Sequence, residues 1–189
     1  LLLYGLFGVP ATPAQTPSHQ VQSPDGNVVM TVQTDGEHLT YSIAHHGQPL
    51  VEPSPISMTL AGRTVLGAAP TVENTSRRQV DRTLEPVVPE KQTEVPVRFR
   101  ELRLDFQKDL SLVVRAYNNG AAYRFETSRD DSVTVETERA TFDLTDSGAT
   151  GTPTFYWARN EDSFITHSES IYQPPLPTDS IGGRMSTLP

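Results

Sequence analysis

Apolar and polar residues alternate with period two along most of this chain. Val28, Met30 and Val32 alternate with Val29, Thr31 and Gln33. Leu39, Tyr41 and Ile43 form a second set, and Ile56, Met58 and Leu60 a third. In the second half, Leu102, Leu104 and Phe106 alternate with Arg103 and Asp105, and Leu110, Leu112, Val114 and Ala116 repeat the pattern. Period two puts each set on one face of an extended strand, so these runs predict strands with one face for the core. Val133 with Val135, and Phe142 with Leu144, predict two further short strands. No stretch carries a 3.6-residue period long enough for an amphipathic helix.

Turn residues punctuate the runs. Pro24-Asp25-Gly26, Asp35-Gly36, His45-His46-Gly47 and Gln107-Lys108-Asp109 each separate two of them. At Tyr117-Asn118-Asn119-Gly120 the chain reverses, with Asn-Gly expected to supply positive φ. The polar stretch from about Thr71 to Val97 has little periodicity and contains Pro86, Pro89 and Pro96. It predicts a long loop with one or two irregular strands at most. At least eight strand candidates separated by turns predict an all-β fold of two packed antiparallel sheets. No fixed-period repeat points to a propeller or solenoid.

Composition narrows the class. The 189 residues carry 16 Pro and 12 Gly, which suits many turns. A net charge of -8 with only 15 basic residues argues against phosphate-backbone recognition, so no nucleic-acid partner is expected. With no Cys there is no disulfide framework, zinc-thiolate site or thiol nucleophile. The chain starts at Leu1, not Met, with an apolar run to Val9 followed by Pro10-Ala11-Thr12-Pro13-Ala14. That run is too short for a membrane span, and none occurs later. It reads as a truncated signal peptide, so residues 1–20 are taken as leader and 21–189 as one domain, exported to the periplasm or secreted.

No complete catalytic motif is present: no G-x-S-x-G elbow, P-loop or G-x-G-x-x-G fingerprint occurs. His45-His46 lie in a turn, and two adjacent histidines alone make no metal site. The segment Trp157 to Tyr172 mixes aromatics with Glu161, Asp162 and Glu169. Carboxylates bind hydroxyls or hard cations and aromatic faces stack on sugars, but an ordinary polar loop reads the same way.

Three runs in order carry a resemblance. They are Ser23-Pro24-Asp25-Gly26-Asn27 leading into Val28 to Val32, then Gly47 to Ile56, then Val114-Arg115-Ala116-Tyr117-Asn118-Asn119-Gly120-Ala121-Ala122-Tyr123-Arg124-Phe125. Together they resemble the N-terminal domain of glycoside hydrolase family 97. The resemblance covers residues 21 to 189. It implies a β-supersandwich of the galactose-mutarotase-like kind, packed against a catalytic (β/α)8 barrel that follows this chain. It also implies an α-glucosidase or α-galactosidase acting on α-linked oligosaccharides, with the catalytic carboxylates in the barrel and hence none in this chain.

Members of that family bind Ca2+ in the active site with one glutamate lent by the sandwich. Phe155-Tyr156-Trp157 and Glu169-Ser170-Ile171-Tyr172 match the surrounding pattern, so the resemblance implies Glu169 as that ligand, with Glu161 as second choice. One carboxylate cannot fill a calcium shell of about six to eight oxygens, so the chain alone is expected to bind calcium weakly or not at all. The alternatives are a stand-alone carbohydrate-binding sandwich, stacking sugar on Tyr156, Trp157 or Tyr172, and an exported scaffold with no sugar role.

Overall fold

A computed structural model describes residues 17–34, 36–62, 64–68, 70–88, 92–107 and 110–144, and the backbone of 154–155 and 176–177. Among the described residues every regular element is a strand. No helix there is long and apolar enough to cross a membrane.

The first sheet is built from β1 (Ser18–Gln22), β2 (Val28–Thr34), β3 (Leu39–His45), β4 (Gln48–Leu60), β5 (Thr64–Leu66) and β10 (Val135–Ala140). Its order is β1-β2-β3-β4-β10, with β5 also paired to β4. The second sheet is β6 (Val72–Leu84), β7 (Val95–Phe106), β8 (Leu110–Tyr117) and β9 (Gly120–Thr127), in that order. Every pairing is antiparallel. A separate two-stranded ladder joins β11 (Thr154–Phe155) to β12 (Leu176–Pro177). β1 takes three residues, Ser18 to Gln20, from the stretch read as leader.

The two sheets face each other, with β1 and β2 lying across β7, β8 and β9. The alternation read from sequence fills the space between them. Met30, Val32, Leu39, Tyr41 and Ile56 come from the first sheet, and Leu102, Leu104, Leu112, Val114 and Ala116 from the second, all almost fully buried. Burying one such aliphatic side chain contributes about 1.5–3 kcal/mol before the entropy of ordering is counted. The architecture is the expected antiparallel two-sheet sandwich.

Three local expectations change. The stretch 71–97 is not mainly loop: it carries the thirteen-residue β6 and the start of β7. β6 is exposed along nearly its whole length, so neither face needed an apolar set and no period was written into it. Of the two short strands expected at Val133–Val135 and Phe142–Leu144, the first is displaced to β10, which begins at Val135, and the second is absent, Leu144 making only an isolated bridge to Val51. β10 is likewise exposed throughout.

The turn at Tyr117–Gly120 is present, but with a different backbone. Tyr117 pairs directly with Gly120, and none of residues 117–120 has positive φ. The left-handed pair lies instead in the β3–β4 turn, where His46 (φ 50°) and Gly47 (φ 76°) link His45 to Gln48. Two positive φ values in a two-residue hairpin match the right-handed twist of the flanking strands.

Candidate functional site

On the outer face of the second sheet, Glu101, Arg103 and Asp105 of β7 and Ser111 and Arg115 of β8 assemble a polar surface opposite the apolar set Leu102, Leu104, Leu112 and Val114. Glu101 pairs in register with Arg78 of β6 on one side and Arg115 of β8 on the other. Arg78 Nε donates to Glu101 Oε1 at 2.6 Å and Arg115 Nε to Oε2 at 2.6 Å. The Glu101 side chain is only 10% exposed. Burial works to raise its pKa, but the hydrogen bonds and charges of Arg78 and Arg115 win, and the carboxyl is held below the usual glutamate range. Arg115 also lies over the Phe99 ring, 4.4 Å from its centroid, and Tyr117 packs against Phe99 at 5.2 Å.

One step along the same face, Arg103 Nε donates to Asp105 Oδ1 at 2.7 Å, and Arg103 also pairs with Glu126 of β9. Ser111 Oγ donates to Asp105 Oδ1 at 2.7 Å. The Ser111 hydrogen bond leads the effects that hold the Asp105 carboxyl below its ordinary range, with Arg103 and Asn74 adding to it against burial. A glycosidase general acid needs a carboxyl raised toward neutrality. Glu101 and Asp105 are shifted the opposite way and are held as charged carboxylates by their arginine and serine partners.

At one end of the sandwich, two of the runs singled out in the sequence meet. Ser23 is fully buried; its Oγ accepts from Val28 N–H at 2.9 Å and donates to Asp25. That Ser23 contact, then the Asn27 backbone N–H, hold the Asp25 carboxyl low. Asp25 N–H donates to Asn118 Oδ1, in the β8–β9 turn, at 3.2 Å. Arg100 of β7 donates to the Ser23 and Pro24 carbonyls at 3.2 and 3.3 Å. The Ser-Pro-Asp-Gly-Asn turn is thereby clipped to the opposite sheet.

Beside this clip, a groove of about 490 Å³ opens between β1 and the β6–β7 pair, lined by Gln20, Gln22, Arg77, Gln79, Arg100 and Glu101 among others. Its guanidinium groups already have partners: Arg77 donates to the Gln20 carbonyl on the edge of β1, and Arg100 to the turn. Arg77 thereby caps a backbone acceptor on the edge strand β1, which blunts strand-to-strand association there. Burial, then the Arg77 charge, lower the His19 pKa.

Between the sheets on the side of β9, Tyr41 stacks against Tyr123 at 5.5 Å and meets Phe142 edge-on at 6.2 Å, while Tyr123 contacts Phe125. The Tyr41 hydroxyl donates to the Thr141 carbonyl at 2.8 Å. Burial, then Tyr123, push its pKa up to about 12. Only Phe142 in this group exposes half its surface, so the cluster is core, not a sugar platform.

The residues singled out from sequence fall elsewhere. Glu161, Glu169, Tyr156, Trp157 and Tyr172 lie outside the described residues. His45 and His46 stand ring to ring at 4.2 Å in the exposed turn. No group of three or more His, Asp or Glu among the described residues could hold a metal. Sequence reading missed Glu101 as the centre of an arginine clasp. Its signal was alternating charge sign on the strand face opposite the core, as in Glu101, Arg103 and Asp105.

The family model described as glycosyl-hydrolase 97 N-terminal matches residues 21–189. A retaining alpha-galactosidase of Bacteroides thetaiotaomicron is 41% identical over 116 residues, which make up 61% of this chain and 17% of that enzyme. A glycoside hydrolase family 97 enzyme from Pseudoalteromonas sp. strain K8, solved with acarbose, superposes with a TM-score of 0.65 at 16% identity, over 84% of this chain and 24% of that one. A beta-arabinopyranosidase superposes with a TM-score of 0.66 at 21% identity, over 84% of this chain and 26% of its own. The two superpositions establish the sandwich fold. The chain thus spans about a sixth to a quarter of these relatives. The family match along nearly the whole chain, on a sandwich of this form, makes it a member of glycoside hydrolase family 97, of which it supplies the N-terminal domain.

Proposed function

We propose that this chain is the non-catalytic N-terminal domain of a calcium-dependent α-glycosidase, of the α-galactosidase or α-glucosidase type, and that it braces a catalytic (β/α)8 barrel of the same polypeptide. One observation carries the reading: a retaining alpha-galactosidase is 41% identical over 116 residues, yet that stretch is only 17% of the enzyme. The arginine-neutralised carboxylates of the second sheet support it, since they suit a supporting role. In this reading the sandwich forms one wall of the sugar site, and the substrate is an α-linked oligosaccharide.

Calcium enters the same proposal. Glu169, or failing it Glu161, lends one carboxylate to an ion whose other ligands belong to the barrel. A carboxylate oxygen suits a hard cation, and the ion would supply positive charge near the sugar hydroxyls. The part of residues 1–20 that precedes β1 is proposed to direct export to the periplasm or beyond, testable by N-terminal sequencing of the mature protein.

The experiment is hydrolysis of aryl α-galactosides and α-glucosides by the full-length polypeptide and by residues 21–189 alone, each with and without a calcium chelator. Turnover by the full-length protein alone, lost on chelation and weakened in calcium affinity by Glu169→Gln, is the expected result. Turnover by 21–189 would overturn the reading. Sugar binding by 21–189 without any hydrolytic partner would replace it with a stand-alone binding module.

A further inference from the structure

The β6–β7 hairpin is longer than the sheet it belongs to. β8 pairs with β7 only from Arg100 to Phe106. Beyond that, Val80–Leu84 and Val95–Phe99 pair with each other and, among the described residues, with no third strand. The hairpin therefore projects as a two-stranded arm. The register places Val80 opposite Phe99, Arg82 opposite Val97 and Leu84 opposite Val95 on one face. The other face is polar, with Asp81 opposite Arg98 in a 2.9 Å ion pair and Thr83 opposite Pro96. Past Leu84, which is 42% exposed, Val87 is 100% and Val88 72% exposed.

A lone two-stranded ribbon is marginal in water, and exposed apolar side chains clustered on one mark an interaction surface. Here Leu84, Val87 and Val88 are exposed and Val80, Val95 and Val97 half-buried, with Arg82 the one charged side chain on this face. We infer that the apolar face of this arm, from Val80 and Val97 out to Leu84, Val87 and Val88, docks by side-chain packing on the catalytic portion of the same polypeptide. The inference rests on the function proposed above. The size of the relatives favours that occupant, because the solved chains extend well beyond the quarter that matches this domain. Strand addition by a second copy is opposed by chemistry. Arg77, Arg78, Asp81 and Arg82 line the outer strand, and Pro86 and Pro96 interrupt backbone donors near the tip.

The test uses the full-length polypeptide with Val88 replaced by p-benzoylphenylalanine. Illumination is expected to give an intramolecular cross-link to residues outside this chain. A cross-link confined to residues 1–189, a cross-linked dimer, or no product overturns the inference. In parallel, Val87→Asp with Val88→Asp is expected to speed amide exchange at 80–84 and 95–99 of the full-length protein, and unchanged exchange also overturns it. Because Val87 and Val88 make no core contacts here, the pair leaves the sandwich able to fold. Assaying the unmodified protein for α-glycoside hydrolysis separates the two claims. Hydrolysis without the cross-link removes only the docking surface; the cross-link without hydrolysis removes only the proposed activity.

Discussion

Glu101 shows how much one residue decides when its neighbours are charged. Its carboxylate sits between Arg78 and Arg115, and its folded pKa lies below that of an unfolded glutamate. The stabilisation is therefore fully present above the ordinary glutamate range and is lost as pH falls through the depressed folded value. Glu101→Gln is expected to cost about 1–3 kcal/mol at neutral pH, toward the low end because Arg78 is largely exposed and screened by water. Urea unfolding of both proteins should show the gap shrinking as pH drops below that range; a constant gap would refute the clasp. Gly67 is decisive for a steric reason. At φ 90° an added Cβ would sit 2.7 Å from the Ile56 carbonyl oxygen, whereas at Gly26 (φ 80°) nothing lies within 4 Å. Gly67→Ala should lower stability by about 1–3 kcal/mol from backbone strain plus the clash, and Gly26→Ala by clearly less. Equal losses would mean the backbone near Ile56 yields freely.

At the scale of elements, strands fall into two kinds. β2, β3, β7 and β8 are held by packing and show period two in their residues. β6 and β10 are held by ladder hydrogen bonds to a better-packed neighbour and show no such period. The contrast is measurable. Leu112→Ala, at a site with no exposed surface, should cost about 2–5 kcal/mol, while Thr75→Ala on β6 should stay within about 0.5 kcal/mol in the same unfolding experiment. A large effect at Thr75 would show that something packs on β6. Turns divide similarly. Ser23→Ala removes the acceptor of the Val28 N–H from a buried turn and should cost about 1–3 kcal/mol. Pro24-Asp25-Gly26 was readable as a turn, but its attachment to Asn118 and Arg100 was not, because those partners lie more than seventy residues away.

For the whole molecule, the unequal widths of the two sheets matter most. Among the described residues six strands face four, and the chain from Thr141 to Leu144 returns to the first sheet beside β4. There Tyr41 donates to the Thr141 carbonyl, and Glu52 N–H donates to the Asp143 carbonyl at 2.8 Å. Tyr41→Phe should loosen this return. The expected readout is faster amide exchange at Glu52 and Asp143 with a stability loss of about 1 kcal/mol, and unchanged exchange at both amides would refute it.

Sequence alone determined which segments of the core are strands and which side chains of each point inward, because burial of one face leaves a period-two record in residue type. It also carried the family, through runs such as Ser23–Asn27 and Val114–Phe125. Only the tertiary structure decided that β6 is a strand, that Arg78, Glu101 and Arg115 form one clasp, and that Ser23–Asn27 touches Val114–Phe125. The reason is physical. Backbone ladder bonds are the same for every residue type, and a contact between distant segments depends on register across the sheets, which no local pattern encodes.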